Sequence, residues 1–96
     1  MHEASLARSL VYTMNDIASR QGALGVVAAR IRLDGFSGIS TKGLNEQFIH
    51  LSKGTRAEGA LLKVRTPDSD IEDSYGAARG LVLESIELRL ELSTSL

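Results

Sequence analysis

One of this chain's two histidines is residue 2, and Met1-His2-Glu3 is the group whose types and spacing could do chemistry. A free terminal amine, the deprotonated amide nitrogen of His2 and Nδ1 of the same imidazole close two small fused chelate rings on one metal ion. Nitrogen-rich, planar donor sets of this kind suit Ni(II) and Cu(II), which favour tetragonal geometry. The fourth donor stays open: the Glu3 amide or carboxylate, a water, or a group from a partner. Met1 is expected to stay in place, because the aminopeptidases that trim initiator methionine want a small second residue and histidine is large. Any chain beginning Met-His offers these atoms, so the rest of the sequence must say whether they are used. Glu3 also has a plainer reading, as a carboxylate matching the positive end of a helix that starts beside it.

Other constellations fail on spacing. HEASL begins like the zinc-peptidase motif HExxH, but position 6 is Leu6. DGFSGIS and KGTRAEGA contain glycines without the spacing, or the following Lys-Ser/Thr, of a phosphate-binding loop. The run Asp68, Asp70, Glu72, Asp73 starts like a calcium loop. Asp73 stands where the turn glycine belongs and Arg79 where the closing glutamate belongs, so a solvated acidic loop is expected. Ser37, His50 and Asp34 supply the side-chain types of a hydrolase triad, as a random trio in any small protein does. No enzyme is expected.

Composition narrows the class. Ninety-six residues give one domain over positions 1–96, with no room for a second core. The chain is 43% hydrophobic, 24% charged and only 4% aromatic, so its core must be built from Leu, Ile, Val and Ala. A net charge of −1 argues against nucleic acid as a partner, which would call for a basic stripe. No apolar run approaches the roughly 18–20 residues needed to span a bilayer, and no basic-then-apolar leader opens the chain, so a cytoplasmic protein with no membrane partner is expected. Cysteine is absent, which removes disulfides and cysteine-held zinc.

The elements that must position the chain start follow from periodicity. Leu6, Leu10, Met14 and Ile17, widened by Val11 and Ala18, form a helical stripe over residues 4–21, and Gly22 sits where such a helix stops. Residues 26–33 alternate, with Val27, Ala29, Ile31 and Leu33 on one face and Val26, Ala28, Arg30 and Arg32 on the other. DGFSGIS makes a turn. Ser40 or Thr41 can cap a second helix over roughly Lys42 to Lys53, with Leu44, Phe48 and Leu51 inward, His50 solvated, and Gly54 as its stop. A second strand spans Ala60 to Thr66, with Leu62 and Val64 inward, and Pro67 closes it. The last strand is VLESIELRLEL, with Val82, Ile86, Leu88, Leu90 and Leu92 facing one way and Ser85, Glu87, Arg89 and Glu91 the other. The loop over residues 67–80 permits the last two strands to form an antiparallel pair, and Ile71 and Tyr75 could fold back from it onto the core. The tail STSL should fray. The expected architecture is α+β, two helices on one face of a three-stranded sheet in the order α-β-α-β-β, with a homodimer through the long last strand as a secondary expectation.

These residues, taken in order, resemble the HypA family of hydrogenase- and urease-maturation nickel chaperones. The likeness is carried by MHEASLARSLV, the strand RIRL, the turn SGI (Ser37, Gly38, Ile39), the helix exit KGTRAEGALL (Lys53 to Leu62) and the closing LVLESIELRLEL. It covers roughly residues 1–66 and 81–92. The resemblance implies an α/β nickel-binding domain that holds Ni(II) at Met1, His2 and Glu3 and delivers it without catalysis. It also implies a HypB-like GTPase as partner, the large subunit of a nickel–iron hydrogenase as recipient, and in some organisms the urease system.

Two departures stand out. Family members carry a zinc domain with two CxxC pairs between the last two strands. Here PDSDIEDSYGAARG occupies that place as a short loop, residues 67–80, so no zinc is expected. LDGF, before SGI, exchanges the usual order of glycine and polar residue at Asp34 and Gly35. The alternative function is a zinc-less HypA-like interaction or assembly module without physiological metal binding, whose nickel affinity would match that of a free Met-His peptide.

Overall fold

The computed structural model describes residues 2–34, 39–66 and 80–91, of which His2 and Asp34 by backbone alone. The chain runs α1 (His2–Arg20), β1 (Gly25–Asp34), α2 (Thr41–Leu51), β2 (Leu61–Arg65) and β3 (Gly80–Arg89). The turn glycine at 35, Ser37 and Gly38, the connection 67–79 with Ile71 and Tyr75, and the end from Leu92 lie outside the described residues.

Helix α1 begins two residues before the expected start at residue 4, with Glu3 in its first turn and Arg20 in its last, both matching the helix dipole. It ends where expected: Gly22 takes φ 68°, a left-handed conformation open to a residue without Cβ. Ser40 caps α2, and Gly54 follows its last turn at φ 82°. The inward residues of both helices, Ala7, Leu10, Met14 and Ala18 with Leu44 and Phe48, join Val26, Ala29, Ile31 and Leu33 of β1 in one cluster. Both helices therefore cover one face of a mixed three-stranded sheet. Among the described residues the core is aliphatic apart from Phe48.

The strand order is β2-β1-β3, with β1–β2 parallel and β1–β3 antiparallel. The antiparallel pair that the 67–80 loop permitted between the last two strands is not formed: β3 pairs with β1. Helix α2 is a crossover that returns the chain parallel to β1, which fills one edge of β1 with β2. The ten-residue β3 then finds a ten-residue partner at the free edge of β1, where β2 could offer only five residues.

Two bulges correct the expected faces. Val26 pairs with Leu88 and Ala28 with the adjacent Glu87, so Val27 is an extra residue in β1. Alternation resets there: Val26 is buried and Val27 is exposed, against the simple period-two reading. Arg30 pairs with Ser85 and Ile31 with Leu83, which leaves Glu84 as the extra residue in β3. Leu81 and Leu83 consequently point inward before the bulge and Ile86 and Leu88 after it, while Val82 is exposed. Leu90 lies beyond the end of β3 and is exposed.

Candidate functional site at the joined helix starts

The first N–H groups of any helix lack an intrahelical acceptor. At α1 these belong to residues at the start of the chain, and at α2 to Ser40 and the residues after it. The fold brings the two helix starts together. Ser40 sits in extended backbone (φ −93°, ψ 126°), and its hydroxyl accepts a hydrogen bond from the Gly43 N–H at 3.0 Å. In a full capping box the third helical residue is Glu or Gln and its side chain accepts the cap residue's N–H. Here that residue is Gly43, which has no side chain to reach back. Glu3 of α1 does so instead: the Ser40 N–H donates to Glu3 Oε2 at 3.3 Å.

The capping box is thus divided between two helices, 37 residues apart in sequence. Helix α2 has no acidic residue in its own first turn, and Glu3 brings a carboxylate to it. A Cβ at Gly43 would lie 3.4 Å from Glu3 Cγ and 3.6 Å from Glu3 Oε2, in ordinary contact with that side chain. Hydrogen bonds from Glu3's own N–H and from the Ser40 N–H hold the Glu3 carboxyl below its usual range.

Of the other sequence-derived candidates, His50 has a described side chain and the rest do not. Met1 and the His2 side chain lie outside the described residues, so Glu3 alone of the terminal triplet has a described side chain. His50 is exposed in the last turn of α2, far along that helix from the Ser40 cap. Among the described residues no group of three or more His, Cys, Asp or Glu is placed to hold a metal ion. No helix among them is long and apolar enough to cross a membrane.

The segment KGTRAEGALL fastens the scaffold near the other ends of the two helices. The Arg56 N–H donates to Asn15 Oδ1 at 2.9 Å and Arg56 Nε to the Ala23 carbonyl at 3.1 Å. The Arg56 carbonyl in turn accepts from the Val26 N–H at 2.9 Å. One residue ties the α2–β2 connection to α1, to the α1–β1 turn and to β1. Ser52, buried at the end of α2, donates its hydroxyl to the Ile49 carbonyl, and Thr55 Oγ1 donates to the Ser52 carbonyl at 2.7 Å. Neither the Glu3–Ser40–Gly43 junction nor the Asn15–Arg56 tie was read from the sequence, because both join residues distant along the chain. The signal that existed for the first was a serine cap followed by glycine in place of the capping-box glutamate.

Two helices on one face of a mixed three-stranded sheet, with the first helix start held against the second, define a small α+β two-layer domain. The family model described as "Hydrogenase/urease nickel incorporation, metallochaperone, hypA" matches residues 1–73, and the chain belongs to this HypA family. It is 39% identical over 64 residues to the hydrogenase maturation factor HypA of Roseiflexus sp. (strain RS-1), covering 67% of this chain and 52% of that protein. It is 34% identical over 75 residues to HypA of Methanopyrus kandleri, covering 78% of this chain and 49% of that one. The chain thus spans about half the length of the curated relatives it matches. Its fold is similar to the solution structure of the Ni metallochaperone HypA from Helicobacter pylori, with TM-score 0.72 at 14% identity, over 93% of this chain and 98% of that one. The family match stops before β3, so the likeness in LVLESIELRLEL stands on the fold.

Proposed function

We propose that this chain is a nickel-handling domain that carries Ni(II), as cargo, in the maturation of a nickel–iron hydrogenase. Met1 would supply its terminal amine and His2 its amide nitrogen and Nδ1, with Glu3 fixing the direction in which they are presented. The observation that carries this reading is the Glu3–Ser40 hydrogen bond at the joined helix starts. It holds Glu3, the residue next to the proposed donors, against the folded scaffold. Family membership supports nickel as the cargo. The donor chemistry supports it as well, since amine, amide and imidazole nitrogens favour a tetragonal divalent ion.

Glu3 is the point where nickel and the scaffold compete. Its carboxylate accepts hydrogen bonds from its own N–H and from Ser40. Recruiting that amide as the fourth donor would break the first of these bonds, whereas a spare lone pair of the carboxylate, a water or a partner's group would leave both intact. Labile closure of this kind suits delivery better than storage. A HypB-like GTPase and the hydrogenase large subunit are the proposed partners, and residues 1–96 are proposed to act as one domain. Residues 67–80 would stand in the place of a zinc module, with no zinc bound. A homodimer would form through β3, whose outer edge has no strand partner in the described sheet.

Nickel titration of the untagged chain tests the reading. A variant with one residue added before Met1, and His2→Ala, should each lose most of the affinity while their circular dichroism is unchanged. Affinity retained in both, or equal to that of a peptide of the first few residues, would overturn it.

A further inference from the structure

The uncovered face of the sheet carries four cations in two cross-strand pairs. The parallel register sets Arg30 opposite Lys63 and Arg32 opposite Arg65. Like charges directly opposite on one face repel and weaken a sheet. At one pair the fold supplies the remedy. The bulge in β3 lifts Glu84 toward it, and Glu84 Oε2 accepts from Arg32 Nη1 at 3.2 Å and from Arg65 Nη2 at 2.6 Å. A single carboxylate bridges two cations on adjacent strands.

The neighbouring pair repeats the arrangement without the carboxylate. The residue of β3 opposite Arg30 is Ser85. Among the described residues neither Arg30 nor Lys63 has an ion-pair partner, and both are exposed. They line a shallow hollow with Ser85 and Glu87. Glu87 is the one acid bordering it, and it forms no ion pair with either cation. One row along β2 from Lys63, Leu61 is 59% exposed and adds an apolar margin.

We propose that this hollow docks a carboxylate-bearing segment of a partner protein, whose Asp or Glu side chain takes between Arg30 and Lys63 the place that Glu84 takes between Arg32 and Arg65. The Arg30 guanidinium offers the planar fork that matches a carboxylate, Lys63 a second charge, and Ser85 a hydroxyl donor. Two cations interrupted by Glu84 and Glu87 suit an acidic peptide. A nucleic-acid strand needs a continuous run of phosphate contacts, which this face does not offer. The inference does not depend on nickel and is tested without it.

The probe is an acetylated, amidated peptide of alternating glutamate and serine, titrated into the isotope-labelled full chain and followed by amide chemical shifts. Shifts should concentrate at Arg30, Lys63 and Ser85 and shrink as salt is raised. Arg30→Gln with Lys63→Gln should weaken binding about fivefold or more, from the loss of two partly exposed ion pairs. Its thermal midpoint should equal or exceed that of the wild type, since the cross-strand repulsion is gone. Glu84→Gln should strengthen binding, because it frees a second cradle beside the first. The proposal is overturned if the peptide shifts nothing on this face or if the double variant binds undiminished. It is also overturned if Glu84→Gln weakens binding, or if inorganic phosphate or single-stranded RNA binds the hollow more tightly than the peptide.

Discussion

Gly43 is the position at which the divided capping box can be closed or opened by design. Gly43→Glu installs the missing third residue of a single-helix capping box, so Ser40's N–H acquires a partner on its own helix and Glu3 is displaced. Replacing glycine by a good helix former in a helix is worth roughly 0.5–1 kcal/mol. In a domain of this size that would raise the thermal midpoint by about 2–8 °C if nothing else changed. Loss of the Glu3 contact offsets part of the gain. Gly43→Ala separates the two effects. Its Cβ would sit 3.4 Å from Glu3 Cγ, an ordinary contact, so it should give the helix gain while keeping the junction. The assay is thermal unfolding by circular dichroism, with Glu3→Ala made in all three backgrounds. Glu3→Ala should lower the midpoint in the wild type and in Gly43→Ala by similar amounts and leave Gly43→Glu almost unchanged. Nickel affinity should follow the same pattern if the anchored Glu3 orients the donors. Equal effects of Glu3→Ala in all three backgrounds would refute the divided capping box. So would a fall in midpoint on Gly43→Ala, which would mean that the Cβ clashes.

Three further outcomes follow from named contacts. Ser40→Ala removes the side-chain cap from the Gly43 N–H and should destabilise the fold by about 1 kcal/mol in urea unfolding. Asn15→Ala leaves the Arg56 N–H without its acceptor and should cost about 1 kcal/mol, visible as faster hydrogen exchange at Arg56 and at Val26, which bonds the same residue. Nickel binding should weaken steeply as pH falls through about 8 to 6, because the metal must displace protons from the terminal amine, the imidazole and an amide. Isothermal titration in two buffers of different ionisation enthalpy would count the protons released.

Much of the framework was legible because its causes are local. The stripe Leu6, Leu10, Met14 predicted α1, Gly22 and Gly54 marked helix stops, and Leu44 and Phe48 identified the buried side of α2, all in agreement with the structure. The assignment of faces along β1 and β3 failed at Val27 and Val82, because each bulge inserts one residue and inverts the alternation beyond it. Nothing in GVVAARIRLD or GLVLESIELR announces a bulge. It is set by how the two strands must register to bury Val26 with Leu88 and Ile31 with Leu83 at once. The candidate donors at residues 1–3 were legible as chemistry, since chelate formation depends only on adjacent atoms. The hydrogen bond between Glu3 and Ser40 was not.

By itself, then, the sequence determined the elements, the two-layer α+β class, the family, and a chain start with atoms suited to nickel. Those properties reside in neighbouring side chains and short periods. The tertiary structure alone decided that β1 is the central strand and that Glu3 completes the cap of a helix beginning at residue 41. It also decided that Glu84 neutralises one cationic pair, while among the described residues Arg30 and Lys63 have no ion-pair partner. Each of these depends on which distant segments the core brings side by side. That is fixed by the combined burial of all five elements, and no single stretch of the chain encodes it.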